Sequence, residues 1–301
     1  MKHDMFVNTL QNDLIVSGTD KSLADVKNIL QYVYDFKSPQ GIMLDRNNRL
    51  VIPTDLHMRG KNISALPFDI GSCGDLVLDN VPLRNVNGFP QICKMLTLKN
   101  NNAIKTLNLE NTKMENGLEI SNLNNCRDIS NIKFMSNKTR NNMNVEYCIN
   151  LEKIGIAKTP KNLYLRLSHL DSLHSLRSVT SKNKIHSISL SYVPLDNFSS
   201  TLECDSLDLE CMYGNNKFRS FREIENFKTS NIQIFNISAA PSNAICLLLC
   251  KQHVKISFIG TPTAPLPLTL LKYINNDNRA DYVMDCVLEL IEADYQDAAE
   301  L

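Results

Sequence analysis

Residues 163–173 read LYLRLSHLDSL, and the spacing of their leucines changes part-way through. Leu163, Leu165 and Leu167 alternate with other residues, whereas Leu170 and Leu173 are three apart. Alternation places every second side chain on one face of an extended strand. A spacing of three instead indicates a segment that bends back over the same core. His169 lies at the change, either as part of a binding site or simply as the residue that ends the strand.

The pattern Φ-x-Φ-x-polar-Φ (Φ, apolar) recurs along the chain, complete in most copies and partial in the first. Its ten copies start at Leu56, Leu76, Leu96, Leu118, Met143, Leu165, Ile188, Leu207, Ile232 and Val254, and successive starts are 19–25 residues apart. A unit of about 20–29 residues that cannot bury its own apolar face stacks on copies of itself. The sequence therefore predicts an α/β-type solenoid of about ten short parallel strands.

The paired apolar residues of these strands resemble the leucine-rich-repeat family over roughly residues 50–260. The clearest pairs are Leu76/Leu78, Leu96/Leu98, Leu118/Ile120, Leu165/Leu167 and Leu207/Leu209. The family's asparagine or cysteine, which ties neighbouring coils together, appears here only as Asn101 and Cys148. This departure implies irregular coils. The degenerate, asparagine-rich repeats without tryptophan are most similar to divergent repeat proteins of large tailed bacteriophages.

The two ends of a solenoid need caps, because they would otherwise expose apolar edges. Residues 1–49 are expected to form an N-terminal cap. Residues 22–36 are predicted to be an amphipathic helix and residues 41–53 a hairpin, which together cover the first coil. Residues 261–301 are expected to form a helical C-terminal cap with an acidic tail that frays. The solenoid itself would occupy 50–260. A motif copy at Leu107, only 11 residues after Leu96, is either the return half of that coil or a sign of misplaced boundaries.

Composition narrows the class of protein. The chain has 32 basic and 32 acidic residues, which argues against a membrane surface or nucleic acid as the main partner. Its nine cysteines are scattered, and no apolar run is long enough for a signal-peptide core or a membrane helix. Reduced thiols in a cytoplasmic protein, or in the host cytoplasm for a phage protein, are therefore expected.

His169 shares the fifth motif position with Asn80, Asn100, Asn122, Tyr147, Tyr192, Cys211, Asn236 and Phe258. So varied a column argues against a catalytic histidine. Stacked coils would nevertheless place Tyr147, His169 and Tyr192 about 5 Å apart as an aromatic ladder on a concave sheet. Clustered exposed aromatic residues are typical anchors for protein partners. Flanking motif positions add Glu119, Glu146, Arg166, Asp208 and Glu210, with Lys255 in the same mixed-charge column.

A second possible site is CLLLCKQH, which contains Cys246, Cys250 and His253, with Cys211 or His186 as a conceivable fourth ligand. It lacks the second CxxC pair typical of zinc sites. Cysteines within an apolar run are more often small core residues. No metal or cofactor is therefore expected.

Other candidate motifs favour ordinary structure. GSCG (71–74) and GTPTAP (260–265) lack the lysine and spacing of a phosphate-binding loop and are interpreted as turns. KFRSFR (217–222) interleaves basic and aromatic residues as single-strand binders do. Phe218, Phe221 and Ile224, however, are spaced as core residues.

The sequence thus favours a non-enzymatic module that binds a protein partner, such as a host protein, through the concave face. Two alternatives stay open. One is a nucleic-acid-associated protein whose acidic tail is autoinhibitory. The other is a metal-dependent enzyme subunit that uses Cys246, Cys250 and His253.

Overall fold

The computed structural model describes residues 23–32, 34, 36–135, 140–160, 162–178, 185–194, 202–210, 221–236, 244–251, 253–259, 265–276 and 278–300. The strands in chain order are β1 (Met43–Leu44), β2 (Leu50–Val51), β3 (Leu56–Arg59), β4 (Ile70–Cys73), β5 (Leu76–Asp79), β6 (Ile92–Lys99), β7 (Thr106–Asn108), β8 (Lys113–Ser121), β9 (Asp128–Phe134), β10 (Asn141–Glu146), β11 (Lys153–Lys158), β12 (Leu163–Ser168), β13 (Ser175–Ser178), β14 (Ile185–Ser191), β15 (Leu202–Glu210), β16 (Phe227–Lys228), β17 (Asn231–Phe235) and β18 (Lys255–Ile259). The α-helices are α1 (Leu23–Tyr32), α2 (Leu247–Cys250), α3 (Pro265–Ile274) and α4 (Val283–Glu292).

The motif segments form one long parallel sheet, called here the first sheet. Its successive strands are β3, β5, β6, β8, β10, β12, β14, β15, β17 and β18. Leu165 lies opposite Met143 on one side and Ile188 on the other, as the alignment of motif starts predicts. The prediction of a repeat solenoid built from parallel strands is confirmed.

The last strand departs from the predicted register by two residues. Ile232 pairs with Ile256 and not with Val254, so Phe258 lies opposite Ile234. Apolar residues occupy 254, 256 and 258, and a shift of two keeps the same residues facing inward. Alternation alone therefore could not fix this register.

A second set of parallel strands returns along each coil, and the motif did not reveal it. β7, β9, β11 and β13 pair in sequence, while β2 and β4 continue into the first halves of β6 and β8. Leu107 lies in β7, which makes its motif copy the return half of the coil. The interpretation of GSCG (71–74) as a turn is wrong, because Ile70–Cys73 is a strand and only Gly74 lies beyond it.

Both sets of strands bury their inward residues in one continuous core. Leu170, Leu173 and Leu176 are all buried, which explains the spacing of three in the opening stretch. The Sγ atom of buried Cys148 accepts a hydrogen bond from the N–H of Leu123 in the preceding coil (3.4 Å). Asn101 instead accepts from Ala103 and Ile104 of its own coil.

The N-terminal part contains the expected elements. Helix α1 buries Val26, Ile29 and Leu30, whereas Ser22 and Val33 of the predicted helix lie outside the described residues. The hairpin pairs Met43 with Val51 in antiparallel register.

The C-terminal part differs from expectation in two details. Helix α4 buries Val283, Cys286, Val287 and Leu290, whereas Ile291, predicted to face inward, is 44% exposed. The tail that was expected to fray is packed against the fold in its described part. Ala298 is fully buried, and the carbonyl oxygens of Asp297 and Ala298 accept hydrogen bonds from Ala244 and Cys246. Among the described residues, no helix is long and apolar enough to cross a membrane.

Candidate functional site: the strand-end column and the outer face of the first sheet

In the first sheet, wherever the residue directly after a strand is described, that residue has left-handed backbone. These residues form what we call the strand-end column: Gly60, Asn80, Asn100, Asn122, Tyr147, His169, Tyr192 and Asn236, with φ between 53° and 61°. Cys211, assigned to this column from the sequence, lies outside the described residues. Left-handed φ turns the chain sharply out of the strand, and glycine and asparagine adopt it most readily. The fifth motif position is therefore a corner, which answers why a polar residue recurs there.

The three ring-bearing residues of the column stack on one another. The ring centroids of Tyr147 and His169 are 4.3 Å apart with 19° between planes, and those of His169 and Tyr192 are 4.3 Å apart with 21°. Tyr147 is 46% exposed, and the other two are half-buried. Nδ1 of His169 also lies 2.6 Å from Oγ of Ser168. The structure thus brings together the aromatic ladder expected from the motif.

Left-handed backbone is costly for side chains as large as these, by roughly 1–2 kcal/mol each. Stacked aromatic pairs return about 0.5–1.5 kcal/mol each, so the two stacks offset about half of the cost of the three residues. Strained backbone that persists tends to occur where a side chain must be held in place for function. Both the left-handed backbone and the neighbouring rings thus determine where each ring lies.

Amides replace the rings in the preceding coils. The Nδ2 of Asn122 donates to Oδ1 of Asn100 (2.9 Å), and the Nδ2 of Asn100 donates to Oδ1 of Asp79 (2.7 Å). Arg59 completes this row through an ion pair with Asp79 (3.1 Å). Because these side chains already bond to one another, few of their polar atoms are left for a partner. The ladder, in contrast, keeps exposed ring surface at Tyr147.

The charged residues predicted to flank the ladder share the outer face of the first sheet. Glu119, Arg166 and Asp208 occupy equivalent outward positions on β8, β12 and β15. Glu146 and Glu210 occupy the outward position two residues later, on β10 and β15. Lys255, expected in the same column as Arg166, is instead opposite Asn231, because of the register shift in β18.

Most of these carboxylates already accept hydrogen bonds. Glu119 pairs with Lys99 (2.8 Å), and Asp208 accepts from Ser187 (3.3 Å) and Ser206 (2.9 Å). Glu146 accepts from Asn144 (2.5 Å). Arg166 is exposed between them. Short side chains lie between Arg166 and Asp208, since the outward residues of β14 are Ser187, Ser189 and Ser191.

A second chain of contacts runs along the opposite ends of the same strands, and the sequence reasoning missed it. The guanidinium of Arg140 lies 3.9 Å from the ring centroid of Tyr164, and that ring lies 4.7 Å from the ring of His186. Nδ1 of His186 is 3.2 Å from Oδ2 of Asp205. These residues precede the six-residue motif, so an alignment of motif starts does not display them.

The structure does not assemble Cys246, Cys250 and His253 into one site. Cys246 is buried and its Sγ lies 3.8 Å from Sγ of Cys286, while Cys250 and His253 are exposed. No group of three His, Cys, Asp or Glu residues in the described ranges is placed to hold a metal ion. The hydrogen bond from Cys246 to Cys286, together with burial, raises the pKa of the Cys246 thiol, which is the chemistry of a core residue.

In KFRSFR, Phe221 and the following Ile224 are buried as predicted, whereas 217–220 lie outside the described residues. Arg222 points outward and pairs with Glu300 (3.4 Å).

Comparisons with protein-family models, with curated proteins and with solved structures gave no match.

Proposed function

We propose that this chain is a non-enzymatic module that binds a protein partner through the outer face of the first sheet, with the ladder Tyr147–His169–Tyr192 as its anchor. The observation that carries the proposal is the stack of three rings held in left-handed backbone, with Tyr147 nearly half exposed. Rigid aromatic surface loses little conformational entropy on binding, and aromatic residues dominate the energetics of protein interfaces.

The surroundings of the ladder suit a specific protein better than a polyanion. Arg166 contributes one positive charge, whereas Glu146, Asp208 and Glu210 contribute negative charge on the same face. A mixed pattern selects a partner by charge complementarity and disfavours nucleic acid. The outward serines of β14 have short side chains and lie between Arg166 and Asp208, so a partner's larger side chains have room there.

The proposal also covers the family to which the chain belongs and the cell compartment in which it meets its partner. The motif pairs that resemble leucine-rich repeats support placing the chain among irregular members of that family, with its terminal helices as caps. The resemblance to phage repeat proteins supports a protein of the bacterial host as the partner, met in the host cytoplasm.

The test is affinity capture from host lysate, with the parent chain and with a variant whose new residues are compatible with left-handed backbone. Tyr147→Asn/His169→Asn/Tyr192→Asn removes the rings but keeps a residue type that the column already uses in left-handed conformation. The control is Lys105→Ala/Lys153→Ala, which changes exposed residues of the return half of the coil. A captured protein lost from the ladder variant and kept by the control supports the proposal, once direct binding of the two purified proteins is measured.

Two outcomes would contradict it. A partner retained equally by both variants would remove the ladder from the interface. Binding of single-stranded nucleic acid that weakens steeply with salt, and is unaffected by the ladder variant, would favour the alternative function.

A further inference from the structure

An open cavity of about 440 Å³ lies at the last coil of the solenoid, at β18, which is three strands along the first sheet from β14. It is bounded by β18, by the end of α3 and by the 3-10 turn Arg279–Tyr282. Its polar lining consists of His253, Lys255, Ser257, Asn275, Asn276 and Arg279. No acidic side chain of the described residues lines it, so its formal charge comes from basic groups alone.

Arg279 is the unusual member of this lining. Only 8% of it is exposed, although the residue is a cation. Its Nη1 donates to the carbonyl of Ile274 (3.4 Å), and its Nη2 donates to the carbonyls of Lys251 and Val254. Its Nε is buried and has no hydrogen-bond partner. Neutral carbonyls thus hold the guanidinium in place without neutralising its charge.

A buried guanidinium without a carboxylate partner is costly, because desolvation of a cation is repaid only by an opposite charge or a full set of acceptors. Lys255 adds a second basic side chain to the lining, and His253 adds an imidazole that can donate a hydrogen bond. An anion placed among these groups would supply the missing counter-charge, and charge-assisted hydrogen bonds to an oxyanion are stronger than neutral ones. The amides of Asn275 and Asn276 and the hydroxyl of Ser257 offer both donors and acceptors to the remainder of a ligand.

We propose that this cavity binds a small phosphorylated compound with a hydroxyl-bearing remainder, of the chemical class of a sugar phosphate. The phosphate group lies among Arg279, Lys255 and His253, and the hydroxyl groups contact Ser257 and the two asparagines. The volume exceeds that of a bare phosphate ion and falls within the range of small-molecule sites.

The experiment is calorimetric titration of the full chain at low ionic strength with ribose 5-phosphate, inorganic phosphate, ribose and succinate. Ribose 5-phosphate is expected to bind, inorganic phosphate to bind more weakly, and ribose and succinate to give no signal at the same concentration. Equal affinity for inorganic and sugar phosphate would overturn the organic part of the proposal. A signal from ribose alone, or no binding by either phosphate at millimolar concentration, would overturn the site.

Matched variants locate the binding. His253→Gln/Lys255→Gln removes two exposed basic residues of the lining. It leaves the buried Arg279 unchanged, so we expect the fold to be kept. The charge-matched control His57→Gln/Lys94→Gln alters exposed residues of β3 and β6, near the other end of the sheet. The lining variant is expected to weaken binding by about tenfold or more, and the control by less than about twofold. Equal affinity in both variants would overturn the assignment of the site to this cavity.

Discussion

At His169 the backbone, more than the ring, limits which substitutions the protein tolerates. A β-branched side chain is poorly accommodated at positive φ, and His169→Val also removes both ring stacks. We expect His169→Val to lower the free energy of unfolding by about 2 kcal/mol. Urea denaturation followed by circular dichroism measures this.

The control for that substitution lies three residues away. Arg166→Val introduces the same side chain at an exposed strand position with no left-handed backbone, and should change the free energy of unfolding by about 0.5 kcal/mol or less. Similar losses for both variants would show that the left-handed corner is not what limits position 169.

The cysteines differ sharply in expected reactivity. Burial raises the pKa of the Cys73 thiol to about 12 and that of Cys148 to about 11, whereas Cys250 is exposed. Since the thiolate is the reactive form, only about 10⁻⁴ of Cys73 would be ionised at pH 8, before steric protection is considered. Brief treatment of native protein with iodoacetamide, read by peptide mass spectrometry, should modify Cys250 well before Cys73 and Cys148.

The same experiment has a built-in reference. Labelling after denaturation should make the described cysteines react at comparable rates, and Cys250→Ser should abolish the fast site among them. Equal rates for Cys73 and Cys250 in the native state would contradict the placement of Cys73 in the core.

Among the elements, strand β8 passes very close to β10 where its two halves join at Gly117. A Cβ built on Gly117 would lie 2.5 Å from the carbonyl oxygen of Asn142, whereas a Cβ on Gly155 in β11 meets no atom closer than 3.7 Å. Gly117→Ala should therefore cost about 1–3 kcal/mol through displaced backbone.

Gly155→Ala is the matched control. It is expected to be neutral, or to stabilise by up to about 1 kcal/mol through lower entropy of the unfolded chain. The midpoint of thermal unfolding should thus fall for Gly117→Ala. For Gly155→Ala it should stay unchanged or rise. A Gly117→Ala midpoint at or above that of Gly155→Ala would contradict the close approach of β8 and β10.

The elements also show what sequence patterns could and could not predict. The first sheet was predictable because each strand repeats its apolar pair at nearly constant spacing, so stacking has one obvious register. The return strands were not, because short segments such as β7 and β13 have few alternating residues each. The register of β18 was not predictable, because apolar residues at 254, 256 and 258 fit two registers equally well. The aromatic ladder was predictable from the motif, whereas Arg279 and its cavity depend on packing between elements distant in sequence.

For the molecule as a whole, the repeat predicts that one coil can be removed without destroying the rest. Deletion of residues 165–187 joins Tyr164 to Ile188, and Tyr164 is equivalent to Ser187 in the register of β12 and β14. The shortened chain should fold, with a sheet shorter by about 4.8 Å. Circular dichroism and small-angle scattering measure these two properties.

A deletion out of phase with the repeat is the appropriate comparison. Removing residues 165–176 takes out half a coil and leaves the following strands without matching partners. This variant should lose cooperative unfolding, since each coil is stabilised mainly by its neighbours. If both deletions behaved alike, coil-to-coil stacking would not be the main source of stability.

The aromatic ladder also gives the protein an optical reporter. The chain has nine tyrosines and no tryptophan, so its intrinsic ultraviolet emission comes from phenol rings alone. Two of those emitters, Tyr147 and Tyr192, lie on either side of one imidazole at van der Waals distance. Contact of another molecule with the exposed phenol of Tyr147 would change the emission of one of these nine rings, in a spectrum that carries no tryptophan band from this chain. Occupancy of this surface by a partner that itself lacks tryptophan can therefore be followed without attaching a dye.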